Sequence, residues 1–354
     1  MSRWSYFAKR LVLSVPVLLF GTSLVFIIIR LGPIDPVSAI LGQNPDPRAY
    51  NNIAVQLGLQ TPGGEPVPIW RQYIDYMTDL LTFDLGQSWV IKPSTGVYSI
   101  IASRAPQTIW LGFWSVLIAL FIGIPLGFYA GLNPNTWSDY TASFGGIVWR
   151  AMPNFWLAVI LVSVLSQSEN FLFGFDWQSF VTETNVVTSP SLGFLTDPGQ
   201  FVANPGPTFE EFVAATKQIL PAALVLGSAS MGNEMRIGRT AVLETINSDY
   251  VETAKAKGLP PRSIVWKHVF RNALIPLVPI ITAEAFVLIG GSVLVETVFA
   301  INGIGKLFYE AILNGDIPLV GSLTFFFIIL TLSLNILQDF LYTVIDPRVG
   351  YESD

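Results

Sequence analysis

The sequence predicts an all-α membrane protein with six transmembrane helices, and three observations lead to that prediction. The chain has 354 residues, of which 51% are hydrophobic and 12% are charged, whereas soluble domains carry about 25% charged residues. Five stretches are apolar over the roughly 20 residues that a helix needs to cross a bilayer. Lysine and arginine are concentrated in a few segments, which sets an orientation for the spans.

The five clear spans contain at most one ionisable residue each, and a sixth stretch is shorter. The five are Leu11–Ile29, Ile109–Leu132, Ala142–Leu165, Ala273–Val295 and Leu319–Ile345. The first follows a basic start, and we interpret it as a retained signal anchor. The sixth, Ile219–Gly232, is rich in Gly, Ala and Ser, which suits a helix packed inside a bundle. A buried helix that does not span is the alternative, but a span makes the orientation consistent.

Basic residues indicate which segments face the cytoplasm. The N-terminus carries Arg3, Lys9 and Arg10, whereas the stretch from Ser166 to Gln218 contains only Lys217. In chain order, Ile219–Gly232 is the fourth span and Ala273–Val295 the fifth. The segment between them is the most basic, with Arg236, Arg239, Lys255, Lys257, Arg262, Lys267 and Arg271. The positive-inside rule therefore places this segment and both termini in the cytoplasm of a multi-pass plasma-membrane protein.

This orientation divides the chain into four regions. Residues 1–30 form a cytoplasmic stub and the first span, and residues 31–106 form an external segment. Residues 107–346 form the membrane core, with an external cap at 167–217 and a basic loop at 240–271; residues 347–354 form a cytoplasmic tail. Helical spacing of Ile74, Met77, Leu80 and Leu81 predicts a helix in the external segment. The cap is rich in Gly, Pro and Asn, and we expect it to be irregular.

The composition excludes several classes of chemistry. The chain has no cysteine and a single histidine, His268, so it cannot form a disulfide or a Cys/His zinc site. We expect His268 to be a packing or surface residue. The net charge of −6 argues against a nucleic-acid partner, which would require clustered Lys and Arg.

Sequence motifs for nucleotide binding and hydrolysis are incomplete. The stretch around Gly305-Lys306 has Ala300 and Leu307 where a phosphate loop needs Gly and Ser/Thr. Ser228 replaces the first Gly of a serine-hydrolase elbow. We therefore expect the chain itself not to be an enzyme, and to bind no cofactor or metal.

Three ionisable residues lie within the predicted spans. Glu284 is near the middle of the fifth span, where it either forms a polar contact between helices or faces a translocation path. For Arg150 and Asp339, structural roles are expected.

The basic loop overlaps the stretch "DYVETAKAKGLPPRSIVWKHVFRNALIP", which runs from Asp249 to Pro276. Ser248 or Asp249 can cap a helix over Tyr250–Lys257, and Gly258 is suited to a left-handed residue at its end. Pro260 and Pro261 prevent continuation, and a second helix is predicted from Arg262 to Asn272. Such a loop is either an interfacial amphipathic element or a docking lever for a cytoplasmic partner.

This stretch resembles the EAA loop of ABC-importer permeases, which forms a coupling helix that sits in a cleft of the ATPase subunit. Glu252, Thr253, Ala254 and Gly258 match that motif, with Thr in place of the first Ala. The general ending of the motif is replaced by His268–Arg271, a departure typical of the dipeptide/oligopeptide/nickel branch.

Further motifs of that branch occur in order along the chain. The matching segments are "FDLGQSW" (83–89), "MPNFWLAVIL" (152–161), "RNALIP" (271–276), "LVETVFAINGIGKLFYEAILNGDIPLV" (294–320) and "DFLYTVIDPRV" (339–349). The resemblance therefore covers nearly the whole chain, although the region from Glu169 to Thr216 is longer than the usual connection.

The resemblance implies a MetI-like permease fold and a permease subunit of an importer. It implies as partners a second homologous permease subunit, two ATPase subunits that bind ATP and Mg, an external solute-binding protein and the lipid bilayer. Peptides are the expected cargo, although relatives carry oligosaccharides or nickel complexes. The residues that would couple to the ATPase are Tyr250, Glu252, Thr253, Ala254, Gly258 and Leu259, with Ala254 expected close to the ATPase.

An alternative function belongs to another class. A secondary transporter driven by an ion gradient, or an intramembrane enzyme, would use Glu284 and would need paired membrane carboxylates or broken helices. The basic loop with its Gly258 and two prolines argues against that alternative, because such a protein has no need of a cytoplasmic docking element.

The orientation is testable by cysteine labelling, because the chain has no native thiol. An impermeant thiol reagent applied to intact cells should label Ser94→Cys, in the external segment, and should not label Ser263→Cys, in the basic loop. The reverse pattern would contradict the six-span arrangement.

Overall fold

The computed structural model describes residues 3–32, 35–42, 45–182, 192–277 and 293–345. Within these ranges the chain is helical, with two isolated β-bridges and no strand. The helices are α1 Arg3–Leu31, α2 Pro36–Leu41, α3 Pro47–Gln56, α4 Ile69–Leu81, α5 Val97–Ile118, α6 Ile124–Leu132, α7 Trp137–Ala151, α8 Asn154–Ser166, α9 Ser168–Phe171, α10 Trp177–Thr182, α11 Gly193–Thr196, α12 Gln200–Ala203, α13 Pro205–Ile246, α14 Asp249–Ala256, α15 Pro261–Ser263, α16 Arg271–Ala273, α17 Val293–Val298, α18 Ile304–Asn314 and α19 Ile317–Ile345. A π-helical turn, Ala119–Gly123, joins α5 to α6.

Four helical stretches in the described residues are long and apolar enough to cross a membrane. They are Lys9–Ile28, Val97–Leu132, Pro205–Ile246 and Ile317–Phe340. The predicted span Ala142–Leu165 is instead two helices, α7 and α8, bent by 96°, which give a fifth span if they are counted together. The break follows from Pro153, because Met152 before it takes an extended conformation with ψ 126° and proline lacks a backbone donor.

The fourth predicted span was too short. Ile219–Gly232 is the middle of α13, which has 42 residues and continues through Pro221. Its polar ends, including Arg236 and Arg239, lower the local hydropathy although the helix does not end there. The predicted irregular cap at 167–217 is also partly helical, because it contains α9 to α12 and the first turns of α13.

The fifth predicted span, 273–295, lies mostly outside the described residues, which exclude 278–292. Glu284 also lies outside them.

The chain divides into two compact units, and each is described by itself. Unit 1 contains the described residues of 1–105 and 306–336, and unit 2 contains those of 106–305 and 337–345.

In unit 1, α4 packs on α1. Phe26 of α1 lies between Tyr73 and Tyr76 of α4, with ring centroids 5.3 and 5.4 Å apart. The predicted helix is confirmed as α4, and Met77 and Leu80 are buried while Ile74 and Leu81 are exposed. The apolar spacing therefore located the helix but included two residues of its exposed side.

A buried carboxylate organises the turn that follows α4. Asp316, which has no exposed surface, accepts hydrogen bonds from the hydroxyl of Ser88 at 2.5 Å and from the backbone N–H groups of Trp89, Val90 and Ile91 at 3.0–3.2 Å. Consecutive N–H groups that wrap an anion form a nest. The "FDLGQSW" motif and the residue before α19 are therefore parts of one interaction within unit 1.

In unit 2, close backbone contact joins the α5–α6 helix to α13. Gly123, Gly127 and Gly131 recur every four residues and face α13. A Cβ at Gly123 or Gly131 would lie 2.9 Å from a carbonyl oxygen, of Met231 or Arg239, and one at Gly127 would overlap Met235, with 2.9 Å to its Cα. Small residues at this spacing let two helix backbones touch.

An aromatic cluster fixes the cap on the same two helices. The ring of Trp110 on α5 lies 5.1 Å from Phe194 of α11 and 5.3 Å from Phe212 of α13. Phe194 is 5% exposed, so the cap contributes to the core of unit 2.

The glycine contact predicts an unusual response to alanine. Alanine is favoured over glycine in a helix by about 1 kcal/mol, but Gly127→Ala places a methyl group inside the backbone of α13. We expect destabilisation by roughly 1–3 kcal/mol, measured as a lower melting temperature of the purified protein.

Gly145→Ala on α7 is the matched control, because no atom lies within 4 Å of its added Cβ. This variant should keep or raise the melting temperature. Equal behaviour of the two variants would contradict the contact.

Candidate functional site

The basic loop forms a short helix, a sharp turn and a second helix, as predicted. Ser248 occupies the position before α14 in an extended conformation, with φ −80° and ψ 149°. Its hydroxyl donates to the carbonyl of Thr245 at 2.6 Å, so it does not cap α14 through its side chain. Asp249 and Glu252 lie in the first turn, where negative charge is favourable to the helix dipole.

The C-terminal end of α14 is fixed by backbone hydrogen bonds. Gly258 has φ +73°, and its N–H donates to the carbonyl of Lys255 at 2.9 Å, while Leu259 N–H donates to that of Ala254 at 3.3 Å. This pair of bonds is the Schellman arrangement, which requires a left-handed residue. The prediction for Gly258 is therefore confirmed.

The second helix is built from three parts. It begins at Pro261 in α15, widens into a π-helical stretch over Ile264–Phe270 and ends in α16. This range agrees with the predicted Arg262–Asn272. His268 is half-buried within it, consistent with a packing or surface residue.

Two residues of α14 face the interior of unit 2. Val251 is fully buried and Ala254 is 4% exposed. They belong to a cluster, here called the loop core, that also includes Ile124, Phe128, Ala241, Val242, Ile264, Val269, Ala273 and Leu277. The small side chain of Ala254 therefore packs within its own subunit, and its expected closeness to an ATPase stays a prediction.

The opposite face of α14 is exposed. Tyr250 is 45% exposed, and Glu252, Thr253 and Lys255 are also on the surface. Leu259, in the turn, is 36% exposed. The structure therefore brings the predicted coupling residues together on one short element, with Ala254 on its inner side.

An exposed tryptophan adds to this surface and was not singled out from the sequence. Trp266 is 60% exposed, and its ring lies 5.1 Å from that of Phe270. The available signal was a large apolar side chain directly before Lys267, in a basic stretch that also contains Arg262 and Arg271. The buried residues of the π-helical stretch are Ile264 and Val269.

An ion pair ties the base of α13 to α7. Arg239 donates from Nε to Asp139 Oδ1 at 2.5 Å and from Nη2 to Oδ2 at 2.7 Å. Asp139 is 1% exposed and also accepts from the backbone of Asn135 and the hydroxyl of Ser143. The sequence analysis missed this pair, since its members are 100 residues apart and no local pattern links them.

The polar residues predicted within spans occupy separate places. Arg150 on α7 donates to the side-chain carbonyl of Asn233 on α13 at 3.3 Å, in keeping with a structural role. Asp339 is half-buried in α19. Among the described residues, neither Arg150 nor Asp339 belongs to the loop core.

A third buried carboxylate explains the "ETVFAINGIG" motif. Glu296 has no exposed surface and accepts a hydrogen bond from the Thr108 hydroxyl at 2.9 Å, while that hydroxyl oxygen accepts from Ile304 N–H at 2.7 Å. A Cβ at Gly303 would overlap the Glu296 carboxylate. The motif therefore folds the chain tightly over its own glutamate.

Comparison with known proteins places the chain among transport components. Residues 123–351 match the family model described as "Binding-protein-dependent transport system inner membrane component". A chain of the solved inward-facing MetNI methionine ABC transporter aligns with 70% of this chain and 97% of its own length, at 20% identity and a TM-score of 0.47.

Curated relatives match over almost their full length. The chain is 32% identical to the dipeptide transport system permease protein DppB of Alkalihalophilus pseudofirmus, over 98% of this chain and 99% of the relative. It is 31% identical to the oligopeptide transport system permease protein AppB of Bacillus subtilis and 28% identical to DppB of Escherichia coli, with the same coverage. The chain therefore belongs to the family of binding-protein-dependent transport system inner membrane components.

Proposed function

We propose that this chain is one of two permease subunits of an ABC importer for dipeptides or oligopeptides, coupled to ATPase subunits through α14. The relatives from Alkalihalophilus pseudofirmus and Bacillus subtilis are dipeptide and oligopeptide transport system permease proteins, which supports the peptide cargo. A second homologous permease completes the translocation pathway, and an external solute-binding protein delivers the cargo. Two ATPase subunits bind ATP and Mg and supply the energy.

The observation that carries the coupling role is the two-sided character of α14. Val251 and Ala254 are buried in the loop core, and the turn at Gly258 fixes where the helix ends. Tyr250, Glu252 and Thr253 are exposed. A short helix held rigidly from behind can transmit displacement of a partner to the spans instead of absorbing it.

The mechanism follows from that rigidity. The loop core joins α14 to α6 and α13, so a movement of α14 by the ATPase is passed to both helices. Rigid-body motion of such helices between two arrangements alternates access to a pathway. Coupling requires that the ATPase subunits bind the two arrangements with different affinity.

The topology that we propose has six spans, with both termini and the coupling loop cytoplasmic. The bent pair α7 and α8 serves as the third span, and residues 273–295 serve as the fifth. Glu284 on that fifth span is the candidate for a residue facing the pathway.

The alternative of an ion-driven transporter gains one feature from the structure, the 96° break between α7 and α8. Broken helices at the membrane midplane bind ions in such proteins. The break here is made by Met152, Pro153 and Asn154 and brings no carboxylate, so it does not support ion coupling.

Substitution at Gly258 tests the coupling role. Gly258→Val puts a β-branched residue in the left-handed region, at a cost of roughly 1–2 kcal/mol, and should shift the end of α14. We expect ATP-driven dipeptide uptake to fall strongly in vesicles containing the assembled transporter, while the amount of inserted protein stays near normal. Gly258→Asn should retain most uptake, because Asn tolerates this conformation.

Gly64→Val is the matched control, since Gly64 also has a positive φ, +81°, with open space around it. It imposes the same backbone strain in the external segment and should leave uptake intact. Normal uptake by Gly258→Val would refute α14 as the coupling element.

A further inference from the structure

A cavity in unit 1 lies at the C-terminal end of α1 and combines a cation with several carboxylates. Its volume is about 430 Å³, within the range of about 300–1,000 Å³ typical of small-molecule sites. Arg30 of α1 and Tyr76 of α4 line it, together with Asp75, Asp79 and Asp84. The transport function proposed above assigns no role to these residues.

The arginine and the tyrosine provide donors for an anionic group. Nη1 of Arg30 and Oη of Tyr76 are both buried, and neither has a hydrogen-bond partner among the described residues. Burial raises the pKa of Tyr76 to about 12, although the positive charge of Arg30 opposes the shift. Tyr76 therefore keeps its proton at neutral pH and can donate it.

A buried guanidinium is costly unless an acceptor meets it. Carboxylate and phosphate match the planar fork of arginine and form strong, charge-assisted hydrogen bonds with it. The donors of Arg30 and Tyr76 thus favour an anionic group of this shape.

The three aspartates in the same cavity have the opposite preference. Asp79 is largely exposed, but the partial burial of its carboxyl raises its pKa, and the negative charges of Asp84 and Asp75 add to that shift. The negative charges of its neighbours disfavour the ionised state of Asp79, and a positive group placed beside it would relieve that repulsion. A primary ammonium suits several carboxylates, because it has three donors.

We propose that this cavity binds a compact zwitterion, with its carboxylate or phosphate at Arg30 and Tyr76 and its primary ammonium at Asp75, Asp79 and Asp84. Two sources carry this chemistry: the end of a short peptide in solution, and the headgroup of phosphatidylethanolamine in the bilayer. The lipid is a source because Arg30 lies just beyond the candidate span Lys9–Ile28, where basic residues reach the headgroups. The proposal does not depend on α14.

The test uses the full-length chain in nanodiscs of phosphatidylglycerol. Calorimetric titration measures binding of dialanine and of N-acetyl-dialanine, which lacks the ammonium. Native mass spectrometry measures which lipid is retained from nanodiscs that contain phosphatidylglycerol and phosphatidylethanolamine in equal amounts.

Two variants and one control variant show whether ligand binding and lipid retention depend on the cavity residues. Arg30→Gln and Asp79→Asn should each weaken binding or retention by about tenfold or more. Arg71→Gln should not change either, because Arg71 is an exposed arginine on the same α4 and outside the cavity. Should Arg30→Gln fail to fold, judged by its melting curve, Asp79→Asn decides, since that side chain is exposed.

Dialanine binding that depends on both residues supports the proposal with a peptide as the source, and selective retention of phosphatidylethanolamine supports it with the lipid. Equal binding of dialanine and N-acetyl-dialanine would overturn the zwitterion. Absence of dialanine binding up to about 10 mM together with no lipid preference would overturn the site.

Discussion

The close contact between the α5–α6 helix and α13 is the constraint on which unit 2 depends. Three glycines at a spacing of four residues bring one backbone against the carbonyl groups of the other. Contact at this distance leaves little freedom to slide, because protein interiors are close-packed and any displacement must be shared by both helices. The pair therefore acts as one rigid element.

That rigid element positions features at both of its ends. At one end, Trp110 and Phe212 form the aromatic cluster that receives the cap through Phe194. At the other end, α6 and α13 supply Phe128 and Val242 to the loop core under α14. Arg239, on the last turns of α13, also fixes α7 through Asp139.

Buried carboxylates perform a second organising task, which is to fix loops. Asp316 in unit 1 and Glu296 and Asp139 in unit 2 are each at most 1% exposed. Each of the three accepts hydrogen bonds from backbone or side-chain donors of the same chain. These specific donors offset the cost of burying the carboxylate. Motifs such as "FDLGQSW" and "ETVFAINGIG" are therefore explained by one acceptor and the donors that surround it.

Sequence reasoning predicted the features that depend on local physics. The left-handed Gly258, the helix break at the two prolines and the helix α4 all follow from neighbouring residues. It did not predict the full extent of α13 beyond Ile219–Gly232, nor the bend that Pro153 makes within the predicted span Ala142–Leu165. The burial of Ala254 depends on residues that are distant in sequence. The pairing of Asp139 with Arg239 is likewise visible only once the fold has brought them together.

The proposed coupling requires that the exposed face of α14, and not its buried face, contacts the ATPase. Single cysteines at Thr253 and at Val251, in a chain without native thiols, separate the two faces when each is combined with a cysteine in the ATPase groove and oxidised. A disulfide requires α-carbons within about 7 Å and side chains that point towards each other. We expect cross-linking from Thr253→Cys, altered by nucleotide, and none from Val251→Cys. Cross-linking from neither, or from Val251→Cys alone, would exclude this contact.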